Sequence, residues 1–139
     1  MSDAAMNDWN QQIITEFRAN AGLVSGPFEG APMVLLTSTG AKSGQPRVNP
    51  LMALLDGDDV VIFASKAGAP THPDWYYNVV ANPEASIEIG TETLAVRARV
   101  AEGDERDDLW TRQKTAYPQF QGYEDSTTRV IPVVVLERI

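Results

Sequence analysis

The chain has 139 residues, of which 11 are basic and 19 acidic, and its formal net charge is −8. This length suits one domain with its own core, and so acidic a body is unsuited to general nucleic-acid binding. The absence of cysteine excludes disulfides and thiolate catalysis, and a lone histidine cannot build a histidine metal cluster. We therefore expect a single domain over residues 1–139 with no metal site.

Residues 1–31 are predicted to form an N-terminal helix and a linker. Asn7 or Asp8 can cap the helix and Gly22 is expected to end it. The linker, Ser25–Ala31, contains two glycines and one proline, which are turn signals. An apolar stripe repeats every four residues in the helix, through Trp9, Ile13, Phe17 and Ala21.

The first 20 residues lack the basic region and apolar run of a signal peptide, and no apolar stretch is long enough to cross a bilayer. The sequence therefore predicts a cytoplasmic protein. Core packing is the preferred interpretation of the apolar stripe, and contact with a membrane surface is left open only for this helix.

Beyond Pro32, short apolar runs alternate with turn residues, which is typical of strands. Two further helices are predicted, one from about Thr71–Asp74 to just before Asn82 and one over Asp104–Ala116. This order of elements predicts a small antiparallel barrel surrounded by helices. The six predicted strands are Met33–Thr37, Val48–Leu55, Val60–Ala64, Ser86–Ile89, Leu94–Val100 and Val130–Leu136.

Two prolines fall within or beside the second predicted strand. Pro46 and Pro50 cannot donate a backbone hydrogen bond to a neighbouring strand. They therefore predict an edge or a bulge at this point, where backbone groups would be free to meet a ligand. An ordinary barrel corner would leave the same signature.

The most distinctive stretch, residues 39–52, is a turn with two cations. Lys42 and Arg47 lie in a segment without acidic residues between Glu29 and Asp56. It is not a phosphate-binding P-loop, because alanine precedes the lysine and a proline then leads into a strand. Its glycines, hydroxyls and cations could bind phosphate or carboxylate oxygens, whereas the alternative is a solvated hairpin tip.

A second candidate segment runs from Ala64 to Asn78. Lys66 again has no acidic neighbour, and the small residues after it lead to a helix N-terminus, which favours anions. Trp75 and Asn78 share a helical face and would suit a planar, phosphorylated cofactor. The alternatives are a core position for Trp75 and a turn role for His72.

The third candidate segment has aromatic residues at a spacing of three, at Tyr117, Phe120 and Tyr123. They could form a lid over a pocket or a cap at one end of the barrel. A hydrolase is poorly supported, because the sequence has no G-x-S-x-G elbow and a single histidine.

These segments together resemble the deazaflavin-dependent nitroreductase family of F420-dependent oxidoreductases. The resemblance covers about Pro32 to the C-terminus, and it implies a six-stranded antiparallel split β-barrel, like FMN-binding split barrels, packed with three to four helices. The residues that carry it are Thr39–Arg47, Asn49–Met52, Ala64–Lys66, Pro70–Pro73, Trp75, Tyr76, Asn78 and Ile131–Val134.

The resemblance also implies a binding role for each matched segment. Lys42 and Arg47 would hold the phosphate of coenzyme F420, with Ser43 and Gly44 shaping the turn. The remaining cofactor contacts would come from the second strand, the following loop and the second helix: Asn49, Pro50, Leu51, Met52, Ala64, Ser65, Lys66, Trp75 and Asn78.

On the substrate side, the family commonly has tyrosine at the middle position of the aromatic segment, where this chain has Phe120. That departure leaves Ser65, Tyr117, Tyr123 or water as candidate proton donors. The implied function is hydride transfer from reduced F420 to a small hydrophobic electron-poor acceptor, such as a quinone, an activated enone or a nitro compound. The alternatives are an FMN-dependent oxidoreductase and a non-catalytic F420 carrier, and the protein is expected to be a monomer or a homodimer.

Overall fold

The structure is a computed structural model that describes residues 3–24 and 32–139, without the side chains of residues 3–9 and Ala67. The predicted linker, Ser25–Ala31, lies outside the described residues. The elements are, in chain order, α1 (Asp3–Ala19), β1 (Met33–Thr39), β2 (Pro46–Asp56), β3 (Asp59–Phe63), a 3₁₀ turn (Lys66–Gly68), α2 (Asp74–Ala81), β4 (Glu84–Ile89), β5 (Glu92–Val100), α3 (Gly103–Ala116), α4 (Gln119–Asp125) and β6 (Val133–Arg138).

The six described strands form a closed barrel in the order β1-β2-β3-β6-β5-β4, and every neighbouring pair is antiparallel. With four helices around it, the barrel confirms the predicted fold class. The strand boundaries shift by up to three residues, and α4 lies in the aromatic segment that follows α3.

The interior of the barrel follows the two-residue period of its strands. On β1, Val34 and Leu36 point inward, whereas Met33 and Leu35 point outward. Trp75 and Val79 of α2 pack with the inward side chains, so this helix covers one end of the barrel. The alternation therefore gives the strands an inner core and an outer apolar face that the helices cover.

The N-terminal helix covers the outer face of β1 and β2. Ile14 and Phe17 are buried there against Met33 and Leu35. The predicted helix was too short at its start and too long at its end, since α1 runs from Asp3 to Ala19. The stripe was also shifted, because Ala21 is exposed beyond the helix while Ile14 packs in the core.

Helices α3 and α4 cover the outer face of β3 and β6. On α3, the buried residues are Leu109, Trp110 and Gln113. Gln113 lies four residues after Leu109 and three after Trp110, and residues at these spacings are neighbours on a helical surface, so the three share one face.

Strand β2 has different partners along its two halves. Residues 46–52 pair with β1 and residues 53–56 pair with β3. The half that carries Pro46 and Pro50 therefore has a strand neighbour on one side only within the described barrel, which agrees with the edge that the prolines predict. This half of β2 borders the groove described below.

Candidate functional site

The turn between β1 and β2 is closed by its own hydrogen bonds. The Gly40 amide donates to the Gln45 carbonyl at 2.8 Å, and the Gly44 amide donates to the Gly40 carbonyl at 2.9 Å. Gly44 has φ +70°, and a Cβ on Gly40 would lie 2.5 Å from the Ser43 hydroxyl oxygen. Both glycines are thus required by the turn, one for its backbone conformation and the other for close packing.

The turn is also tied to α2 by one buried amide. Asn78 Oδ1 accepts a 2.9 Å hydrogen bond from the Ala41 amide, and Asn78 Nδ2 donates to Ser38 Oγ at 3.3 Å. Asn78 is 7% exposed. Since both ends of its amide are engaged, Asn78 fixes the position of the cationic turn relative to α2.

The amides of this turn are mostly engaged within the protein. Those of Gly40, Ala41, Gly44 and Gln45 all donate to protein oxygens, which leaves the Lys42 and Ser43 amides without an acceptor in the described part of the chain. Few backbone amides of the turn are therefore available to a ligand. Attraction for an anion comes mainly from the two cations.

A groove of about 950 Å³ runs between this turn, β2, α1 and α2. This volume lies at the upper end of the range of roughly 300–1,000 Å³ for small-molecule sites. Its walls are polar and include both cations. The residues around it are Asn10, Gln11, Gly40, Ala41, Lys42, Ser43, Pro46, Arg47, Val48, Asn49, Asp74, Tyr77 and Asn78.

The two cations of the groove differ from most other basic residues of the protein. Lys42 and Arg47 have no carboxylate within salt-bridge distance in the described part of the chain. By contrast, the basic residues that do pair with carboxylates are Arg18, Arg97, Arg99, Arg106, Arg112 and Lys114. The groove is thus a local positive site on an acidic protein, and it suits an anionic ligand.

The loop after β3 carries the third unpaired cation of the sequence prediction. Lys66 is exposed, and its Nζ lies 3.4 Å from the Thr71 hydroxyl. Its backbone has φ +46°, which is unusual for a residue with a side chain. Ser65, the residue before it, is buried at 9% exposure.

One arginine that sequence reasoning missed holds this loop in place. Arg129 lies in the segment between α4 and β6, and its guanidinium donates to the carbonyls of Ala64, Ser65 and Ala69 at 2.8–3.1 Å. No motif marks Arg129, because its partners are about 60 residues earlier in the chain. Only the long-range packing brings them together.

The same arginine contacts the single histidine. Arg129 Nη1 donates to His72 Nδ1 at 2.9 Å, so Nδ1 must be the unprotonated nitrogen of a neutral ring. Burial lowers the pKa of the His72 imidazole below its ordinary value, and the Arg129 charge lowers it further. Arg129 is thus a structural partner of His72 from outside the loop. This contact agrees with the turn role that the sequence left open for His72.

The aromatic segment forms part of the outer core. Phe120 is 4% exposed, and its ring packs on those of Phe63, Trp110 and Tyr123. Tyr117 and Tyr123 are half-buried beside this cluster. Of the two interpretations offered by the sequence, the packed arrangement is the one seen for Phe120.

A carboxylate anchors the same cluster. Trp110 Nε1 and Lys114 Nζ both donate to Glu124. Burial raises the pKa of the Glu124 carboxyl, but hydrogen bonds from Trp110, Lys114 and Gln121 outweigh it and leave the pKa below its ordinary value. Glu124 is therefore charged at neutral pH and holds α4 against α3.

The predicted cofactor residues fall into two groups. The groove brings together Lys42, Ser43, Arg47, Asn49 and Asn78. The side chains that lie outside its lining are those of Pro50, Leu51, Met52, Ala64, Ser65, Lys66 and Trp75, together with the candidate proton donors Tyr117 and Tyr123 and the turn residue Gly44.

Three of the predicted ring contacts are separated by the barrel wall. Trp75 is 3% exposed and packs in the barrel interior with Leu51, whereas Met52 packs outward against the helices. Adjacent strand residues point to opposite faces, so Leu51 and Met52 cannot present their side chains to one surface. Their roles toward the cofactor ring stay predictions.

Several residues of the groove were not predicted from the sequence. Asn10 and Gln11 come from α1, and Asp74 and Tyr77 come from α2. The spacing of Asp74 and Tyr77 places them on one helical face and was the only available signal. Nothing in the sequence indicated that α1 would border this groove.

No group of three or more His, Cys, Asp or Glu side chains in the described residues is arranged to hold a metal ion. Among the described helices, none combines the length and hydropathy that a bilayer-crossing segment needs.

The fold and the groove define a class of protein: a split β-barrel with a cationic groove beside an edge strand, suited to an anionic, flavin-like cofactor. Residues 9–138 match the model of the F420H2-dependent quinone reductase family, and the chain belongs to that family. It is therefore an oxidoreductase, and coenzyme F420 is the cofactor of its family.

Individual relatives agree with this assignment. An F420H2-dependent quinone reductase of Mycobacterium tuberculosis is 39% identical over 127 residues, which are 88% of this chain and 85% of the relative. The solved structure of an F420H2-dependent reductase, FDR-A, is 45% identical with a TM-score of 0.71, and the match covers 76% of this chain and 94% of that one. Another solved structure, described as a domain-swapped dimer, is 38% identical with a TM-score of 0.72, over 98% and 100% of the two chains.

Proposed function

We propose that this protein binds F420H2 in the groove between the β1–β2 turn and α2 and uses it to reduce a quinone-type acceptor. One observation carries the proposal: Lys42 and Arg47 face the same groove without a carboxylate partner in the described part of an acidic chain. F420 carries a phosphodiester and a glutamate tail, and such anions fit this pair of cations.

The residues of the groove would divide the binding between them. Arg47 offers a planar fork of donors to phosphate oxygens, and Lys42 adds a point charge from the same turn. Asn78 keeps the turn in register with α2 through its bond to Ala41. Binding energy is thus concentrated where the backbone is already fixed, which lowers the entropy cost of holding the ligand.

When bound, reduced F420 supplies the hydride, and a proton completes the two-electron reduction of a quinone to a hydroquinone. We propose that the protein supplies that proton from the loop end of the site. The candidates are Ser65, Tyr123 and Tyr117, and the backbone of Tyr123 lies against Gly68 of that loop. Water is the remaining candidate.

The test begins with binding. Purified protein is titrated with F420 and with FMN by fluorescence, and F420H2 oxidation is then followed with a soluble quinone and with an enone. We expect F420 to bind and the quinone to be reduced. Tight FMN binding without an F420 response would favour the FMN-dependent alternative, and F420 binding without turnover would favour a carrier.

A double variant tests the assignment of Lys42 and Arg47 to the cofactor phosphate. Replacing both cations, as Lys42→Gln with Arg47→Gln, is expected to raise the F420 dissociation constant at least tenfold, because two charge-assisted contacts are lost. The matched control, Arg97→Gln with Arg138→Gln, changes the net charge equally on β5 and β6. Equal losses in the two double variants would show that only overall charge matters.

Assembly and location complete the proposal. We propose a monomer or homodimer that acts in the cytoplasm on a small hydrophobic acceptor. The apolar stripe of α1 already packs on the barrel through Ile14 and Phe17, which supports core packing over membrane contact. Light scattering measures the assembly, and flotation with anionic lipid vesicles measures membrane contact.

A further inference from the structure

The loop from Ala64 to His72 is fixed from outside by one side chain. Arg129 uses Nε toward the Ala69 carbonyl, Nη1 toward the Ala64 carbonyl and Nη2 toward the Ser65 carbonyl. Nη1 also donates to His72. Four contacts from one guanidinium therefore reach both ends and the middle of the loop.

This loop contains a backbone conformation that needs such support. Lys66 has φ +46°, in the left-handed region that is strained for a residue with a side chain. The carbonyls that Arg129 binds flank Lys66, at Ser65 before it and at Ala69 after it. Hydrogen bonds on both sides of a strained residue hold it in a conformation that it would otherwise leave.

The end of α4 also packs closely against the loop. Gly68 has φ +81°, and a Cβ there would lie 2.9 Å from both Ser126 Cβ and the Tyr123 carbonyl oxygen. The loop is thus held between the end of α4 on one side and the guanidinium on the other. Arg129 provides the polar part of this support, because the three carbonyls would otherwise be left without its charge-assisted hydrogen bonds.

The chemistry of the contact selects arginine. Three carbonyls that reach one planar group require donors that diverge in a fixed fork, which a guanidinium has and an ammonium lacks. Burial lowers the pKa of Arg129, yet an arginine remains charged at any pH at which the protein folds. The support of the loop is therefore permanent.

We propose that Arg129 is a positioning residue of the cofactor site, which holds the Ala64–His72 loop so that Ser65 and Lys66 meet the bound F420. Arg129, Ser65 and Lys66 do not line the groove itself, and the loop reaches it through His72, whose ring packs on that of Tyr77 in the lining. The inference rests on the proposed function, since it assigns the loop to the same cofactor. It adds a residue outside the segments matched by the sequence resemblance.

The test compares Arg129→Lys and Arg129→Gln with a matched control, Arg106→Lys. Arg106 is also a part-buried arginine that donates to a backbone carbonyl of the same connecting segment, at Ile131, but it belongs to α3 and lies over the Trp110 ring rather than against the loop. We expect both Arg129 variants to raise the F420 dissociation constant about tenfold, for the loss of charged hydrogen bonds. The KM for quinone should change less than about twofold, because the loss is on the cofactor side of the site.

The control separates positioning from general destabilisation. Arg106→Lys is expected to lower the melting temperature while the F420 dissociation constant stays unchanged. Guanidinium at a non-denaturing concentration should partly restore F420 affinity to Arg129→Gln, and the same ionic strength of KCl should not. F420 affinity equal to that of the wild type in both Arg129 variants would overturn the inference.

A measurement without cofactor tests the contact itself. His72 is the only histidine, so its imidazole proton gives an unambiguous NMR signal. In the Arg129→Gln variant the pKa of His72 should rise toward its ordinary value, because the neighbouring charge is gone. An unchanged pKa would also overturn the inference. If the wild type does not bind F420, the proposed function fails and the inference falls with it, whereas wild-type binding with unaffected variants overturns the inference alone.

Discussion

At the scale of single residues, Asn78 contributes through the position of its neutral side-chain amide. Its side chain spans two elements by accepting from the Ala41 amide and donating to the Ser38 hydroxyl. The partners are 37 and 40 residues away along the chain. One short amide thus sets where the cationic turn lies relative to the helix that borders the groove.

Removal of that amide should affect stability and binding together. We expect Asn78→Ala to lower the free energy of unfolding by about 1–3 kcal/mol, because buried partners lose their hydrogen bonds. The affinity for F420 should also fall, because the cationic turn would no longer be held in place relative to α2. Urea unfolding and fluorescence titration measure the two effects, and Asn82→Ala at the exposed end of α2 is the control. An Asn78→Ala protein as stable as the Asn82→Ala protein would contradict this role.

His72 should make stability depend on pH. Its pKa in the folded protein is below the value of about 6.5 expected in the unfolded chain, so the unfolded state binds a proton first as the pH falls. Stability is therefore complete above about pH 6.5 and is lost progressively below it. Arg129 faces the ring from the α4–β6 segment, and Tyr76 and Tyr77 face it from α2.

The check is thermal unfolding between about pH 7.5 and pH 5.5, where most carboxylates keep their charge. We expect the melting temperature of the wild type to fall over this interval. A His72→Asn protein should show a flatter profile, since the group that titrates has been removed. Equal slopes for the two proteins would assign the pH dependence to other groups.

At the scale of elements, α4 decides what the aromatic segment can do. The helix places Phe120 among three other rings, with centroid distances of 5.1–6.0 Å. Tyr117 and Tyr123, by contrast, remain half-buried at its edge. The helix therefore makes the middle aromatic a packing residue and leaves the outer two as candidates for substrate contact.

A tyrosine at position 120 should therefore be costly. We expect Phe120→Tyr to destabilise the protein by about 1–3 kcal/mol, because its hydroxyl would be buried among rings without a partner. Quinone turnover should not rise. The control, Tyr123→Phe, removes a hydroxyl from the same cluster and should cost less. A faster Phe120→Tyr enzyme with unchanged stability would show that the new hydroxyl reaches the substrate.

Helix α3 shows how an element can carry an unexplained polar residue. Gln113 is fully buried, and among the described residues neither its Nε2 nor its Oε1 has a hydrogen-bond partner. The helical face alone accounts for its burial, since Leu109 and Trp110 are on the same side. The structure gives no physical reason for an amide at this position.

At the scale of the whole molecule, two electrostatic effects oppose each other. The net charge of −8 repels an anionic cofactor over long distances, whereas Lys42 and Arg47 attract it at contact. Contact pairs are closer than the screening length of about 10 Å at 0.1 M salt, and among the described residues that line the groove Asp74 is the only acidic one. The local attraction should therefore dominate in the wild type.

Salt should separate the two effects. Between about 0.05 M and about 0.5 M KCl, we expect F420 affinity of the wild type to fall severalfold as the contact pairs are screened. In the protein with Lys42→Gln and Arg47→Gln, Lys66 is the remaining predicted cationic contact, so salt should lower affinity much less than in the wild type. Titrations at several salt concentrations measure both slopes. Parallel slopes would place the cofactor away from these cations.

The sequence by itself determined the features that depend on neighbouring residues. Strand and helix periodicity, turn glycines and prolines predicted the six strands and the antiparallel barrel, and the charged turn at Lys42 and Arg47 was visible as a gap in the acidic residues. The motif matches led to the F420-dependent class, which the family match confirms. All of these signals are local, within a few residues of one another.

Only the tertiary structure decided which distant residues meet. It placed Trp75 inside the barrel, brought Asn78 to the cationic turn and put Arg129 beneath a loop about 60 residues earlier in the chain. Such contacts depend on strand register and on which face of each helix packs inward. A pattern read along the chain gives the faces of an element but does not give the partner that each face will meet, and for that reason the residues that support the site were not visible in the sequence.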